Sequence, residues 1–252
     1  MLKIIISPAK KMRAEDTLPW EGLPAFLPEI QRLLAYLQRL SPAQLRGLLG
    51  CNEEIAACNY RRFQHMDLRR GLSPALLAYD GIQYQYMAPQ IFEAAHFAYV
   101  QRHLTILSGF YGALRPLDGV VPYRLEMQAR LNAPFARDLY AFWGGALAKA
   151  VAGPGDVLLD LASAEYSRAV VRHLPAGVRC VRCRFAEEAN SRLVEKGVYV
   201  KMARGALVRW MAERGVETAE AVRAFDGLGY HYQPQRSTDA EYVFLKEQAG
   251  KR

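Results

Sequence analysis

The stretch Leu104-Thr-Ile-Leu-Ser-Gly-Phe-Tyr-Gly-Ala-Leu-Arg-Pro-Leu-Asp-Gly-Val-Val-Pro-Tyr-Arg-Leu-Glu-Met127 joins a short apolar run to a loop rich in glycine and proline. The run at 104–107 is typical of a strand buried on both faces, and Ser108-Gly109 allows the backbone to turn sharply after it. Pro116 and Pro122 restrict φ, and Asp118-Gly119 is a tight-turn dipeptide. The stretch therefore predicts a buried strand that leads into an ordered loop.

Four polar side chains of this loop suggest a binding role. Arg115, Tyr123, Arg124 and Glu126 are two cations, a phenol and a carboxylate, a set that can hold and orient an anion. Residues 123–131 alternate polar and apolar side chains, which is the period of a half-exposed strand. The alternative interpretation is a structural turn whose arginines are simply solvated.

Two further strands are predicted to end in serine, as the strand at 104–107 does. Residues 2–6 precede Ser7, and residues 156–162 precede Ser163. The carboxyl ends of strands in α/β sheets form ligand-binding crevices, so nearby polar groups are expected to converge there. Each serine also suits a plain cap or turn. The predicted pocket comprises Lys10, Ser108, Arg115, Tyr123, Arg124, Glu126, Ser163, Glu165, Tyr166, Lys201 and Arg204.

Lys201 and Arg204 enter this pocket through a predicted strand-to-helix junction. Residues 197–201 are rich in β-branched and aromatic side chains and are expected to pair antiparallel with a strand at 178–185. A helix over 203–214 should follow, with its first amides attracting anions.

A helical hairpin is predicted over about 41–66. Ser41-Pro42 marks the start of its first helix, and Asn52 is the expected cap of its second. The connecting Leu48-Leu-Gly-Cys-Asn52 resembles the helix-hairpin-helix turn, which presents backbone amides to a phosphate without reading sequence. A plain helical hairpin is the alternative.

The charge balance favours an anionic partner. The 252 residues carry a formal net charge of +8, and residues 164–214 contain eleven Lys and Arg against five Glu. We therefore expect DNA as a partner, in duplex or distorted form. The predicted contacts are Arg46, Gly50, Asn52, Arg61, Arg62, Lys201, Arg204 and Arg209.

Other classes of protein are disfavoured by the sequence. It contains neither an apolar run long enough to span a membrane nor a signal peptide, so we expect a cytoplasmic protein, with a monomer favoured. Cys180 and Cys183 are three apart in a predicted strand, so they point to opposite faces and suit neither a redox pair nor a zinc site. No standard catalytic motif is present, and the five histidines lack ligand spacing. No metal and no cofactor are expected.

Six motifs in order carry a resemblance to a known family. They are Ile6-Ser-Pro-Ala-Lys10, Leu107-Ser-Gly-x-Tyr-Gly-x-Leu-Arg-Pro-Leu-Asp118, Pro122-Tyr-Arg-Leu-Glu-Met127, Leu161-Ala-Ser-x-Glu-Tyr166, Lys201-Met-Ala-Arg-Gly205 and Gly229-Tyr230. The chain resembles the YaaA family of bacterial peroxide-stress proteins from Met1 to about Lys246. Asp160 stands where the family often has Asn, and Lys11 where it often has Thr.

The resemblance implies a cytoplasmic α/β protein that limits oxidative damage and intracellular iron. It also implies DNA binding through a helix-hairpin-helix and a basic cleft. Taken with the residues, it predicts a single domain over 1–252 of the α/β (α+β) class, in which helices flank a mixed central sheet and an N-terminal helical region holds the hairpin.

Two alternatives to DNA binding remain at this point. The first is an enzyme that acts on a phosphorylated or nucleotide substrate, with Glu126 or Glu165 as a general base and Tyr123 or Tyr166 as an acid. The second is direct iron sequestration, which the lack of a ligand cluster in the sequence argues against.

Overall fold

The computed structural model describes residues 1–189 and 192–247. Its strands are short, and those of the central sheet are dominated by aliphatic and aromatic side chains that are buried in the core. In chain order they are β1 (Leu2–Ile6), β2 (Lys11–Met12), β3 (Ser73–Pro74), β4 (Tyr79–Asp80), β5 (Leu104–Ser108), β6 (Gly112–Leu114), β7 (Gly119–Val120), β8 (Val157–Leu161), β9 (Arg179–Ala189), β10 (Arg192–Val194), β11 (Tyr230–Tyr232) and β12 (Glu241–Lys246).

The helices flank this sheet. They are α1 (Leu27–Gln38), α2 (Pro42–Leu49), α3 (Glu53–Gln64), α4 (Ala75–Ala78), α5 (Ile82–Met87), α6 (Ala94–His103), α7 (Leu139–Trp143), α8 (Ala146–Val151), α9 (Ala164–Val171) and α10 (Gly197–Arg214). Short 3-10 turns span Pro89–Ile91, Glu220–Ala224, Gly227–Gly229 and Pro234–Arg236. None of the helices in the described ranges has the length and hydropathy needed to cross a membrane.

The central sheet is mixed, as predicted, and most of its ladders are parallel. Its order is β11-β12-β9-β8-β1-β5-β6, with β10 paired to the far end of β9. The ladders between β5, β1, β8, β9 and β12 are parallel, and the outer pairs β5–β6 and β11–β12 are antiparallel. Three parallel strands, β8, β1 and β5, therefore end at the same edge of the sheet.

The prediction of a strand at 197–201 was wrong, because these residues form the first turns of α10. Their expected partner β9 pairs instead with three other strands. One side of it pairs with β8 and the other with β12, while its distal end pairs with β10. The β propensity of a segment depends strongly on its tertiary context. With β9 already paired to other strands, residues 197–201 become part of the helix that follows them.

The prediction of a strand at 123–131 was also wrong, although the burial pattern behind it was correct. Tyr123, Leu125 and Met127 are buried while the polar residues between them are more exposed, yet the segment belongs to no sheet. The open edge of β5 is taken by β6. The segment instead crosses Gly109 so closely that a Cβ there would lie 2.5 Å from the carbonyl oxygen of Leu125.

The N-terminal helical hairpin has the predicted caps. The Ser41 side chain accepts from the amide of Gln44, whose side chain accepts from the Ser41 amide in return. Gly50 ends α2 in the left-handed conformation, with φ 55°. Asn52 caps α3 by accepting from the amide of Ile55 at 2.9 Å. Residues 41–66 therefore form two helices joined by a tight turn.

Helix α10 packs against α5 at a position that tolerates only glycine. A Cβ added at Gly205 would overlap the carbonyl oxygen of Gln83 and lie 3.0 Å from the amide of Met87. Both of these groups belong to backbone, which cannot move aside without disturbing α5. The approach holds the neighbouring residues Arg204 and Gln83 side by side.

Gly205→Ala is expected to destabilise the fold by about 3 kcal/mol, because the new methyl group overpacks a helix–helix contact. The urea midpoint of unfolding, followed by circular dichroism, measures this change. Gly197→Ala is the matched control in the same helix, since no described atom outside that helix's own backbone lies within 4 Å of its added Cβ. Equal midpoints for the two variants would contradict the proposed close contact.

Candidate active site at the carboxyl ends of the parallel strands

The three serines that follow the parallel strands lie almost level with one another. Ile6 is in register with Ile106 of β5 and with Leu161 of β8, so Ser7, Ser108 and Ser163 are within one residue of the same height. The Ser7 hydroxyl donates to the Ser163 hydroxyl at 3.1 Å and accepts from the Ser163 amide at 2.8 Å. These bonds tie the end of β1 to the start of α9.

A cavity of about 470 Å³ opens beside this edge of the sheet. Nine of the eleven residues predicted for the pocket line it, and they come from four separate parts of the chain. These nine are Lys10, Tyr123, Arg124, Glu126, Ser163, Glu165, Tyr166, Lys201 and Arg204.

The other two predicted pocket residues do not line the cavity. Ser108 is fully buried behind Tyr123, whose hydroxyl lies 2.5 Å from its Oγ. Arg115 is exposed in the loop before β7 and does not line the cavity. Asp118 closes the turn of that loop by accepting from the Arg115 amide at 2.8 Å.

The residues predicted only for DNA binding also lie outside the cavity. Arg46, Gly50 and Asn52 are exposed on the helical hairpin, with Arg61 exposed and Arg62 half-buried on α3. Arg209 is half-buried on α10 and pairs with Glu213 at 2.6 Å. The hairpin and the cavity are thus two separate features.

The mouth of the cavity is crossed by ion pairs centred on Glu126. Its carboxylate binds the Lys10 ammonium at 2.8 Å and the Arg124 guanidinium at 2.9 Å. Nearby, Lys11 pairs with Asp80 at 2.8 Å. The side chains of Lys201 and Arg204 have neither an ion pair nor a hydrogen bond within the described ranges, although the charge of Asp160 acts on Arg204. Both cations are therefore open to an anionic ligand.

Three buried donors around the cavity lack an acceptor. They are Nε of Arg124, Nε of Arg204 and Nε2 of Gln83, each unbonded within the described ranges. A buried donor without a partner costs roughly 1–3 kcal/mol, and more when it is charged. Such groups are uncommon in folded proteins, and here three of them surround one space.

Gln83, Lys11, Asp80 and Tyr84 also line the cavity but were not predicted to do so. Gln83 and Tyr84 lie on α5, which packs on α10 and is bonded to the end of β1 through the Tyr84 hydroxyl. The sequence around them reads as an aromatic stretch with no chemical motif. Lys11 and Asp80 meet through the short pair of strands β2 and β4, a long-range pairing that has no local signal.

Burial shifts the pKa of two charged groups that line the cavity, Glu165 and Arg204. It raises the pKa of Glu165, and the nearby charge of Glu126 acts in the same direction, although the Gln128 amide donates to Glu165 at 3.1 Å. Burial lowers the pKa of Arg204, which the charge of Asp160 partly offsets. The pKa of Asp160 is itself raised by burial. Each shift reflects a charge held in a poorly solvated place.

Buried tyrosines form the wall behind the cavity. The Tyr123 hydroxyl lies 2.5 Å from the Oγ of Ser108 and 3.0 Å from the hydroxyl of Tyr79. Burial raises the pKa of Tyr123 to about 12, so its phenol stays neutral at physiological pH. The Tyr84 hydroxyl donates to the carbonyl of Ser7 at 3.0 Å. This network holds the end of β1 against the loop that follows β5.

The described residues do not include a group of three or more His, Cys, Asp or Glu side chains placed to hold a metal ion. Cys180 and Cys183 lie on β9, as predicted, with Cys183 buried. Burial raises the pKa of both thiols, that of Cys180 to about 11. Because a thiolate is the reactive form, neither cysteine has the environment of a redox centre.

Comparison with known proteins connects this geometry to one family. The sequence profile of the family described as peroxide stress protein YaaA matches residues 2–236. A UPF0246 protein of Desulfitobacterium hafniense is 51% identical over 251 residues, which is 99% of this chain and 100% of the relative. A UPF0246 protein of Lachnoclostridium phytofermentans is 46% identical over 100% of this chain and 99% of the relative. A UPF0246 protein of Lactiplantibacillus plantarum is 44% identical over 97% of this chain and 99% of the relative.

Tyr123→Phe is expected to destabilise the fold by about 1–2 kcal/mol, because the Tyr79 hydroxyl loses its buried partner. Unfolding in urea measures the loss. Tyr86→Phe is the matched control, since Tyr86 is 37% exposed. If both variants unfold at the same urea concentration, the buried hydroxyl network does not contribute to stability.

Proposed function

The chain belongs to the YaaA family of peroxide stress proteins, and from this premise we propose that it binds DNA largely without sequence specificity. In this proposal it acts in the peroxide response, limiting oxidative damage and intracellular iron. The supporting observation is the basic cleft formed by the cavity and its rim, where two cations have no partner within the described part of the chain.

The basic cleft carries positive charge both at its rim and in its interior. The Lys10 and Lys11 side chains are 66% and 77% exposed at its rim, and Lys201 is exposed there too. Arg124 and Arg204 lie deeper. These five cations face three carboxylates, those of Asp80, Glu126 and Glu165. The surplus of positive charge attracts phosphate groups and raises their local concentration.

The helical hairpin supplies a second basic surface in this proposal. Arg46 and Arg61 are exposed, and their side chains have no partner among the described residues. Glu53 and Glu54, however, occupy the first turn of α3, where their charge repels phosphate from the free amides of that helix. We therefore assign phosphate contacts on the hairpin to its arginines rather than to the amides beside Gly50.

DNA binding is expected to weaken steeply with salt, by about 0.9 power of the salt concentration for each phosphate contacted. Fluorescence anisotropy with a labelled duplex at several salt concentrations measures this slope. Lys10→Glu with Lys201→Glu, and Arg61→Glu with Arg62→Glu, should each lower the affinity by roughly tenfold or more and make the slope shallower.

The control for these variants is Arg172→Glu, an exposed arginine at the end of α9. It should leave affinity and slope close to those of the unmodified protein. Salt-insensitive binding, or equal effects of the control and the two double variants, would contradict electrostatic DNA binding at these surfaces.

A second candidate function is an enzyme that acts on a phosphorylated or nucleotide substrate. The observation that favours it is Glu165, a half-buried carboxylate in the cavity whose pKa is raised by burial. A raised pKa suits a group that exchanges protons near neutral pH. Glu126 is engaged by two cations, which leaves Glu165 as the freer candidate base. Burial raises the pKa of both Tyr123 and Tyr166, so neither phenol is a strong proton donor.

Glu165→Gln separates the two functions, because it removes the ionisable group while keeping a side chain of similar size. If the cavity is catalytic, the variant should lose peroxide protection in a complementation assay and keep its affinity for duplex DNA. Glu29→Gln, an exposed change on α1, is the control. Full protection by Glu165→Gln would argue against catalysis at this residue.

A further inference from the structure

We propose that the inner part of the basic cleft binds one nucleoside monophosphate unit, with its phosphate held by Arg204, Lys201 and Gln83. The unit is either a free nucleotide or the 5′-phosphorylated end of a DNA strand, since both present the same phosphate monoester on the same sugar and base. This inference deepens the proposed function by naming the ligand of the cleft, and binding of the free nucleotide does not require duplex binding.

The first argument is the state of two nearly buried side chains. Arg204 and Gln83 are each only 7% exposed, both line the cavity, and both carry a buried donor without an acceptor. A guanidinium and an amide that line one cavity present several N–H groups to it. Phosphate oxygens accept from such a set, and the pairing recovers part of the cost of burying the cation.

The second argument is the size of the space. A cavity of about 470 Å³ lies within the range of small-molecule sites, roughly 300–1,000 Å³. A water molecule accounts for roughly 30 Å³ of liquid. The cavity therefore accommodates a body much larger than a simple inorganic anion, with the charged group at one end of it.

The third argument is the remaining lining, which suits a nucleoside. Tyr84 and Tyr166 contribute aromatic surface, and Pro8, Ile82 and Leu125 contribute aliphatic surface. Tyr84 and Tyr166 are only 2% and 6% exposed, so they offer a base apolar contact over a small area rather than a full stacking face. Glu126 and Glu165 face the same space and supply acceptors for sugar hydroxyls or base amino groups, while their charge repels a phosphate from that end. The orientation is therefore phosphate towards α10 and Gln83, and nucleoside towards α9 and the chain that carries Glu126.

Isothermal titration calorimetry of the full chain tests the proposal with adenosine 5′-monophosphate, adenosine and inorganic phosphate. Adenosine 5′-monophosphate should bind at one site per chain. Adenosine and inorganic phosphate should each bind about tenfold or more weakly, because each lacks half of the contacts. An absence of binding by adenosine 5′-monophosphate at millimolar concentration would overturn the proposal.

Arg204→Gln and Lys201→Met test the proposed phosphate-binding residues. Each should weaken binding of adenosine 5′-monophosphate about tenfold or more and leave adenosine binding unchanged. Lys201 is exposed, so its variant tests the proposal even if Arg204→Gln unfolds. Lys149→Met, an exposed lysine on α8, is the matched control. If Lys201→Met and a folded Arg204→Gln both bind adenosine 5′-monophosphate with unchanged affinity, these residues do not hold the phosphate and the proposal is overturned.

Competition with DNA distinguishes the two sources of the ligand. Displacement of adenosine 5′-monophosphate by a hairpin DNA with a 5′-phosphate, but not by the same DNA with a 5′-hydroxyl, supports a strand end. Binding of the nucleotide without any such competition supports a free nucleotide. Salt-dependent duplex binding in a protein that does not bind adenosine 5′-monophosphate would refute this inference and leave the proposed function standing.

Discussion

The parallel pairing of β1 with β5 on one side and β8 on the other is the constraint on which the site depends. Because parallel strands share a direction, the residues that follow each of them meet at one edge of the sheet. The register places the ends of the three strands within one residue of the same height. A one-residue shift would turn every side chain of β1 to the opposite face, and the bonds between Ser7 and Ser163 would be lost.

Buried polar groups are the second feature of this edge of the sheet. Asp160 is 4% exposed and is satisfied by the amide of Ala162 at 2.9 Å and the hydroxyl of Ser167 at 2.5 Å. Arg204, which feels the charge of Asp160, has no comparable partner within the described ranges. The fold therefore satisfies its buried carboxylate internally and leaves the buried cation open towards the cavity. This asymmetry favours an anionic ligand over a cationic one.

The close approach of α5 to α10 completes the cavity from a different direction. The pattern of strands in the sequence does not predict where α5 and α10 lie. Because Gly205 has no side chain, α10 passes close to the backbone of α5. The result is a wall that carries Gln83 and Tyr84 beside Arg204 and Lys201. Opposite this wall, Tyr123 and Arg124 lie on irregular chain that is held by Gly109 and by the hydroxyl network behind it. The cavity is thus formed on one side by the edge of the sheet and closed on the other by the two helices.

Local pattern in the sequence determined the buried strands, the serines at their ends, the caps of the helical hairpin and most of the charged residues of the site. These features depend on apolar runs, cap residues and turn residues, whose physical effects act over a few positions. Only the tertiary structure decided that residues 197–201 are helical, that residues 123–131 pack without a ladder, that Arg115 lies outside the cavity and that Gln83 lies inside it. Each of these depends on which strand edges were already paired and which backbones could approach, and such long-range competition for partners leaves no local trace.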